Sequence, residues 1–223
     1  MGGATEARTV TVDVWVDVQC SWCYLNKRRL DAAVEQSGVA VEVRYLFFEL
    51  GPDAPDRVDK ERFLREVRGM DEATVRRGQD HLNQLGSAYD VRYDWDAMLP
   101  TNSRRTHRLL AWGQEQGAHS ALLDRTFRAY FTEGADLSVP DILAALAADI
   151  GLDEAAARAA VTSTERDPRL ELDRSAALRI GVTGVPFLVI DGRYGLSGAQ
   201  TVDVLVEVIR HAATEAGTEA GDD

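Results

Sequence analysis

The sequence predicts an α/β fold in which a small sheet is interrupted by a large all-helical insertion. Three observations carry this reading. A strand pattern, a helix pattern and a second strand pattern follow one another between residues 9 and 48. Residues 58–175 then carry helix patterns with hardly any strand signal. Strand patterns around an Asp-Gly turn return at 185–198. Two strands alone would not be stable, so the two ends of the chain must meet to complete one sheet.

The first element is "TVTVDVWVDV", residues 9–18. Val10, Val12, Val14, Val16 and Val18 share one face, and Asp13, Trp15 and Asp17 the other, which is the period of a strand. Next comes "YLNKRRLDAAVEQSG", with Leu25, Leu30, Ala33 and Val34 at helical spacing and Gly38 as its stop. "VAVEVRYLFF" reads as the second strand. A strand, a helix and a strand in this order imply parallel pairing through a right-handed crossover.

Seven helix patterns follow: "DKERFLREVRG", "DEATVRRGQDHLNQLGSAY", "NSRRTHRLLAWGQEQG", "HSALLDRTFRAYFTEG", "SVPDILAALAADIG", "EAAARAAVTS" and "RLELDRSAALRIG". Ser138 and Asp141 have the spacing of a capping box. Asp153 is expected to cap the sixth pattern, and Asp167 and Pro168 to take the N-cap and first positions of the seventh. "VPFLVIDGRYGLSG" reads as two short strands around Asp191-Gly192, a strong hairpin signal. "AQTVDVLVEVIRHAA" closes the chain with a helix. The expected division is a discontinuous domain of residues 9–57 and 176–213, an insertion at 58–175, and polar, disordered tails at 1–8 and 214–223.

With 223 residues, 45% of them hydrophobic, the chain can bury a core without staples. Its formal net charge of -12 argues against a nucleic-acid surface, which needs clustered Lys and Arg. The one basic cluster, Arg104, Arg105, His107 and Arg108, reads as a solvated helix face. "MGGATEARTV" holds no apolar stretch suited to a signal peptide, and no run of ~18 apolar residues exists to span a membrane. The expected address is the cytoplasm, with no membrane partner.

Both cysteines of the chain stand in "DVQCSWCYLN": Cys20 and Cys23, with Ser21 and Trp22 between them. A disulfide there closes almost no loop and adds little stability. In a reducing compartment such a pair is catalytic or metal-binding more often than structural. A strand ends and a helix begins at this point, so Cys20 sits where free backbone N–H groups and the helix dipole stabilise an anion such as a thiolate. Cys23, one turn on, is expected to be more buried, with ordinary thiol acidity. That asymmetry suits disulfide exchange, in which one sulfur attacks and the other resolves. A zinc site would need two further ligands from His81, His107, His119 and His211, none of which are paired at metal spacing. Two packing cysteines without chemistry are the remaining alternative.

Two further features bear on this site. In "TGVPFLVI", Pro186 directly precedes a strand and cannot donate to a ladder. A cis Val185–Pro186 bond accounts for a sharp start to the strand, and a trans proline at a loop boundary is the alternative. Asp17, three residues before Cys20, reads as a solvated strand-end carboxylate, against the alternative of an acceptor for the Cys23 proton.

The strand–CxxC–helix start, the helical insertion and "GVTGVPFLVIDGRYGLSGAQ" together resemble the DsbA-like branch of the thioredoxin superfamily, and within it the FrnE-like subgroup of cytosolic dithiol–disulfide oxidoreductases. "RYLFFEL", "LPTNSRRTHRLL" and "TFRAYFTEGADL" extend the resemblance over about residues 9–212. It implies a thioredoxin-like fold with a helical insertion. It implies Cys20 as nucleophile, Cys23 as resolving thiol, and a cis Val185–Pro186 bond against the sulfurs, with the backbone of residue 185 pairing with an extended substrate. Ser21, Trp22, Phe48, Asn102 and Gly198 would lie near the substrate. By their own patterns Phe48 reads as a core aromatic, Asn102 as a helix cap, Gly198 as a turn glycine and His107 as structural. The resemblance also implies protein or small-molecule thiols and disulfides as substrates, no bound cofactor, no metal, and glutathione or a partner protein as the source of redox equivalents.

The chain departs from the subgroup in two places. Ser21 replaces the usual proline between the cysteines, which bears on oxidising strength, and Gly51-Pro52 stands where Asn-Pro is usual. Kappa-class glutathione transferases and 2-hydroxychromene-2-carboxylate isomerases share the insertion architecture. They activate glutathione with a Ser near the helix start, where this chain has Cys20. A non-catalytic holdase or assembly factor is a third class, and no sequence feature demands it.

Overall fold

The structure, a computed structural model, describes residues 8–56 and 71–215. Strands β1 (Val10–Val16), β2 (Val41–Phe47), β3 (Phe187–Ile190) and β4 (Tyr194–Ser197) form one sheet in the order β2-β1-β3-β4. Helix α1 (Ser21–Ser37) joins β1 to β2. Between β2 and β3 the described residues form α2 (Glu72–Ser87), α3 (Arg104–Glu115), α4 (His119–Phe131), α5 (Pro140–Ala148), α6 (Glu154–Thr162) and α7 (Asp167–Arg179). Helix α8 (Val202–Glu215) follows β4. This is the thioredoxin-like α/β arrangement with helices inserted into it. The expected helix "DKERFLREVRG" and most of both tails lie outside the described residues. Order extends slightly past the expected limits: Arg8 chelates Asp191 at 2.8 and 3.0 Å, and α8 runs through Glu215.

The two ends of the chain meet at β1. It pairs in parallel with β2, Val10 opposite Val41 through Val16 opposite Phe47. On its other edge it pairs antiparallel with β3, Val12 opposite Ile190 through Trp15 opposite Phe187. The hairpin from β3 to β4 turns on Asp191 and Gly192, both at positive φ (57° and 68°), with Arg193 N–H donating to the Ile190 carbonyl at 3.1 Å. Gly38, at φ 66°, ends α1 as expected.

Around Trp15 both faces of β1 are covered, so the alternation there separates two cores rather than core from water. Val10, Val12, Val14 and Val16 enter the main core with Leu30 and Ala33 of α1 and Leu205 and Ile209 of α8. Trp15 points the other way, into a smaller cluster with Phe48, Ala177 and Val182. There α7 covers the sheet, and Trp15 Nε1–H donates to the Asp173 carbonyl at 2.9 Å.

Several local expectations need correction. Pro140 takes the first position of α5, so Val139 is its N-cap and the Ser138 hydroxyl turns back to Asp136. Asp167 is the first residue of α7 instead of its cap, and its carboxylate is held by Arg108 at 2.6 and 2.7 Å. Asp153 does cap α6, accepting from Ala156 N–H at 2.7 Å. The basic cluster is not a solvated face. Arg104 pairs with Glu49 and Glu171, Arg105 with Asp56 and Arg108 with Asp167, while His107 is fully buried.

Candidate active site

Cys20 is the N-cap residue of α1, with extended backbone (φ -88°, ψ 107°), and its carbonyl accepts from Cys23 N–H at 2.9 Å. Both cysteines are free thiols. Their environments differ as expected in burial: Cys20 retains 7% exposure and Cys23 none. The acidity of Cys23 is not ordinary. Burial pushes its thiol well above the usual range, and the neighbouring Cys20 and the Asp17 carboxylate push the same way, while a hydrogen bond with the Asp17 backbone opposes them.

The β3 end of the sheet brings the second half of the site. The Val185–Pro186 peptide bond is cis, and the Cys20 thiol donates to the Val185 carbonyl at 3.2 Å. Gly198 N–H donates to the Pro186 carbonyl at 2.9 Å, so the residue after β4 holds the turn that faces Cys20. Gly198 needs its positive φ of 77° to do so. Phe48 is a buried neighbour of Val185 in the smaller cluster. Ser21 is buried, and Trp22 is 36% exposed beside the ring of His81 on α2, at 6.0 Å. The hydrogen bonds of Asn102 run to the segment after β2 and to the start of α3. Its amide holds the Pro52 and Ala54 carbonyls at 3.3 and 2.8 Å, and its oxygen caps Arg104 N–H at 2.8 Å.

Four residues of the site were not singled out by the sequence or were misjudged from it. Tyr93 donates its hydroxyl to the Ser21 carbonyl at 2.9 Å, tying the CxxC turn to the segment before α3. Gly86 of α2 makes room for this approach, since a Cβ there would lie 2.8 Å from the Val91 carbonyl and 3.3 Å from the Tyr93 ring. Nothing in the spacing of Tyr93 marks it, because it stands in a loop. Asp17 is fully buried, which corrects its reading as a solvated carboxylate. It accepts from Gln19 N–H at 3.1 Å and Leu50 N–H at 2.8 Å, and lies 3.5 Å from His107 Nε2. Glu49 is buried against Arg104 at 2.9 Å, and burial raises its carboxyl above the ordinary range. The signal for Asp17 was its place at the end of a strand that proves to be central.

Among the described residues no group of three or more His, Cys, Asp or Glu is placed to hold a metal ion. No helix among them is long and apolar enough to cross a membrane.

The chain is similar to several known proteins. A probable DsbA oxidoreductase from Streptomyces coelicolor is 31% identical, superimposes with a TM-score of 0.81 and covers 91% of this chain and 89% of its own. An uncharacterized protein of Bacillus subtilis, YwbO, is 26% identical over 207 residues, 90% of this chain and 96% of its own. A 2-hydroxychromene-2-carboxylate isomerase shares the fold with a TM-score of 0.69 at 20% identity, covering 94% of this chain and 98% of its own. The family description "DSBA-like thioredoxin domain" matches residues 11–210. With a CxxC at the start of α1, a cis-proline turn against it and a match over nearly its whole length, the chain belongs to the DSBA-like thioredoxin domain family.

Proposed function

We propose that this protein is a thiol–disulfide oxidoreductase or isomerase in which Cys20 is the nucleophile and Cys23 the resolving thiol. The observation that carries the reading is the contact of the Cys20 thiol with the Val185 carbonyl, 3.2 Å apart, at the N-terminus of α1. The more accessible sulfur therefore lies beside backbone that an extended chain can pair with, and at a helix end suited to a thiolate. Cys23 is fully buried one turn further on, as suits a resolving thiol. Trp22, which stands between the cysteines in the sequence and is 36% exposed, offers apolar surface at the pair. The substrates in this reading are protein or small-molecule thiols and disulfides. Glutathione or a partner protein supplies the equivalents, no cofactor is bound, and the setting is the cytoplasm.

The fold is shared with an isomerase and so does not choose the chemistry. The dithiol does. The test is a redox titration in graded glutathione buffers, with alkylation of the remaining thiols and mass analysis. A reversible Cys20–Cys23 couple is expected, with a midpoint near about -120 to -200 mV for an oxidase or isomerase and near about -270 mV for a reductase. Cys20→Ser should abolish exchange, and Cys23→Ser should trap mixed disulfides. Full exchange activity in Cys20→Ser, or glutathione-dependent isomerisation surviving the loss of both cysteines, would overturn the reading.

A further inference from the structure

Helix α1 carries a buried cation. Arg29, on its third turn, is 6% exposed, and among the described residues no carboxylate pairs with it. A guanidinium held out of water without a counter-ion is costly, so the groups that do meet it are informative. We propose that Arg29 is a positioning residue that clamps the turn after β4, and through it the cis-proline backbone on which an extended disulfide substrate pairs. The inference rests on the dithiol reading above and adds a determinant of which disulfides are taken.

The groups that meet Arg29 are neutral. Its Nη1 donates to the Gln200 carbonyl at 3.1 Å, and its Cζ lies 5.4 Å from the centre of the Tyr89 ring, in the loop after α2. Gln200 stands between β4 and α8, and its side-chain amide turns back to donate to the Ser197 carbonyl at 2.7 Å and the Gly198 carbonyl at 3.4 Å. Gly198 N–H in turn donates to the Pro186 carbonyl at 2.9 Å. Across the cis bond, the Val185 carbonyl accepts from the Cys20 thiol at 3.2 Å. The carbonyl that Arg29 holds is therefore two residues from the amide that holds Pro186. The Arg29 charge also reaches Tyr93, whose hydroxyl ties down the Ser21 carbonyl inside the CxxC.

Two physical points make this contact a clamp. A hydrogen bond from a charged donor is roughly twice as strong as one between neutral groups, and a guanidinium over a ring face gains most where water is excluded. The donor also stands on the helix that Cys20 caps, nine residues on, or about 13 Å along the axis. One rigid element thus registers both walls of the site, the sulfurs directly and the Val185–Pro186 backbone through the Gln200 and Gly198 contacts. The demands of substrates on these walls differ. A small disulfide needs only the Cys20 sulfur, whereas an extended chain also needs the backbone of residue 185 at a fixed place. Arg29 therefore acts on recognition of a peptide disulfide and leaves the sulfur chemistry alone.

The experiment measures capture of two disulfides in the Cys23→Ser background, where the mixed disulfide on Cys20 persists, by acid quench and mass. One is a linear peptide dimer joined by a single disulfide. The other is bis(2-hydroxyethyl) disulfide, which has no peptide groups. Arg29→Met keeps the apolar stem and is expected to slow peptide capture about tenfold, the order expected for one hydrogen bond from a charged donor. Capture of the small disulfide should not change, which also shows that the variant is folded. Arg29→Lys retains a charged donor and should restore peptide capture to within about threefold. Amide hydrogen exchange reads the clamp itself. In Arg29→Met the Gly198 N–H should exchange about tenfold faster or more, and the Arg193 N–H of the far hairpin turn at its former rate. Four results would overturn the clamp alone: peptide capture at the unaltered rate, equal slowing with both disulfides, Arg29→Lys as slow as Arg29→Met, or unchanged exchange at Gly198. Failure of the Arg29-containing protein to capture either disulfide on Cys20 would overturn the dithiol reading and the recognition role with it.

Discussion

His119 offers a direct test of how this core handles charge. The imidazole is buried at the start of α4, stacked on Tyr45 with ring centres 5.2 Å apart. Nδ1 faces the Leu110 carbonyl at 3.1 Å, and Nε2 has no partner among the described residues. The hydrogen bond to Leu110 assigns the proton of the neutral ring to Nδ1, so a second proton would have to sit on the unpartnered Nε2. Burial therefore lowers the group from 6.5 to about 4, with His107, Arg169 and Lys27 adding like charge. The folded pKa lies below the unfolded one. The unfolded chain thus takes up the proton first, and stability present above pH 6.5 is lost as pH falls toward 4. The full gap, at ~1.36 kcal/mol per pH unit, comes to roughly 3 kcal/mol. At pH 5 roughly 2 kcal/mol of it should already be gone. Glu49 and Asp173 are shifted upward and act in the opposite sense, but they are common to any His119 variant. The perturbation is therefore His119→Gln, and the assay is urea denaturation of both proteins at pH 8 and pH 5. The unaltered protein should lose about 2 kcal/mol more than the variant, a difference of about 1 M in midpoint. Parallel losses in the two proteins would mean that burial of His119 carries no such charge penalty.

Two further substitutions test the ties described above. Trp15→Phe removes the buried donor to the Asp173 carbonyl and should cost about 1–2 kcal/mol in urea denaturation, against no change if α7 is held by packing alone. Gly198→Ala has open space for its Cβ but a φ of 77°, so it should cost about 1 kcal/mol of stability. Because Gly198 also holds the Pro186 carbonyl, it should slow thiol–disulfide exchange as well. Gly192→Ala, at a similar φ of 68° in the far hairpin turn, should cost as much stability without slowing exchange. Equal exchange rates in the two variants would remove Gly198 from the site.

The two sulfurs were legible because their signal is local. A strand pattern that runs into a CxxC and then a helix pattern places Cys20 at a helix N-terminus whatever the rest of the chain does, and α1 begins at Ser21. Gly38, Asp153 and the Asp191-Gly192 turn were legible for the same reason, since each satisfies its own backbone within a few residues. Ser138 and Asp167 carried similar signals and were misread. Their side chains had other partners, Asp136 for one and the distant Arg108 for the other. The basic run at 104–108 was misread because its counter-charges come from Glu49, Asp56, Asp167 and Glu171, far away in sequence.

The order of elements, the βαβ unit, the hairpin and the two sulfurs could be read from the residues alone, because periodicity, capping and turn chemistry act over a few residues. What surrounds those sulfurs depends on how distant elements pack. Pairing of β3 beside β1 makes β1 central, α7 packs over its second face and buries Trp15, and Asp17 is buried against His107 of α3. The same closure sets Val185 against Cys20, Tyr93 against Ser21 and His107 against Asp17, across separations of 165, 72 and 90 residues. No local rule reaches that far. Burial and charge pairing belong to the packed volume, and a residue's partners within it are chosen by which elements the whole chain brings together.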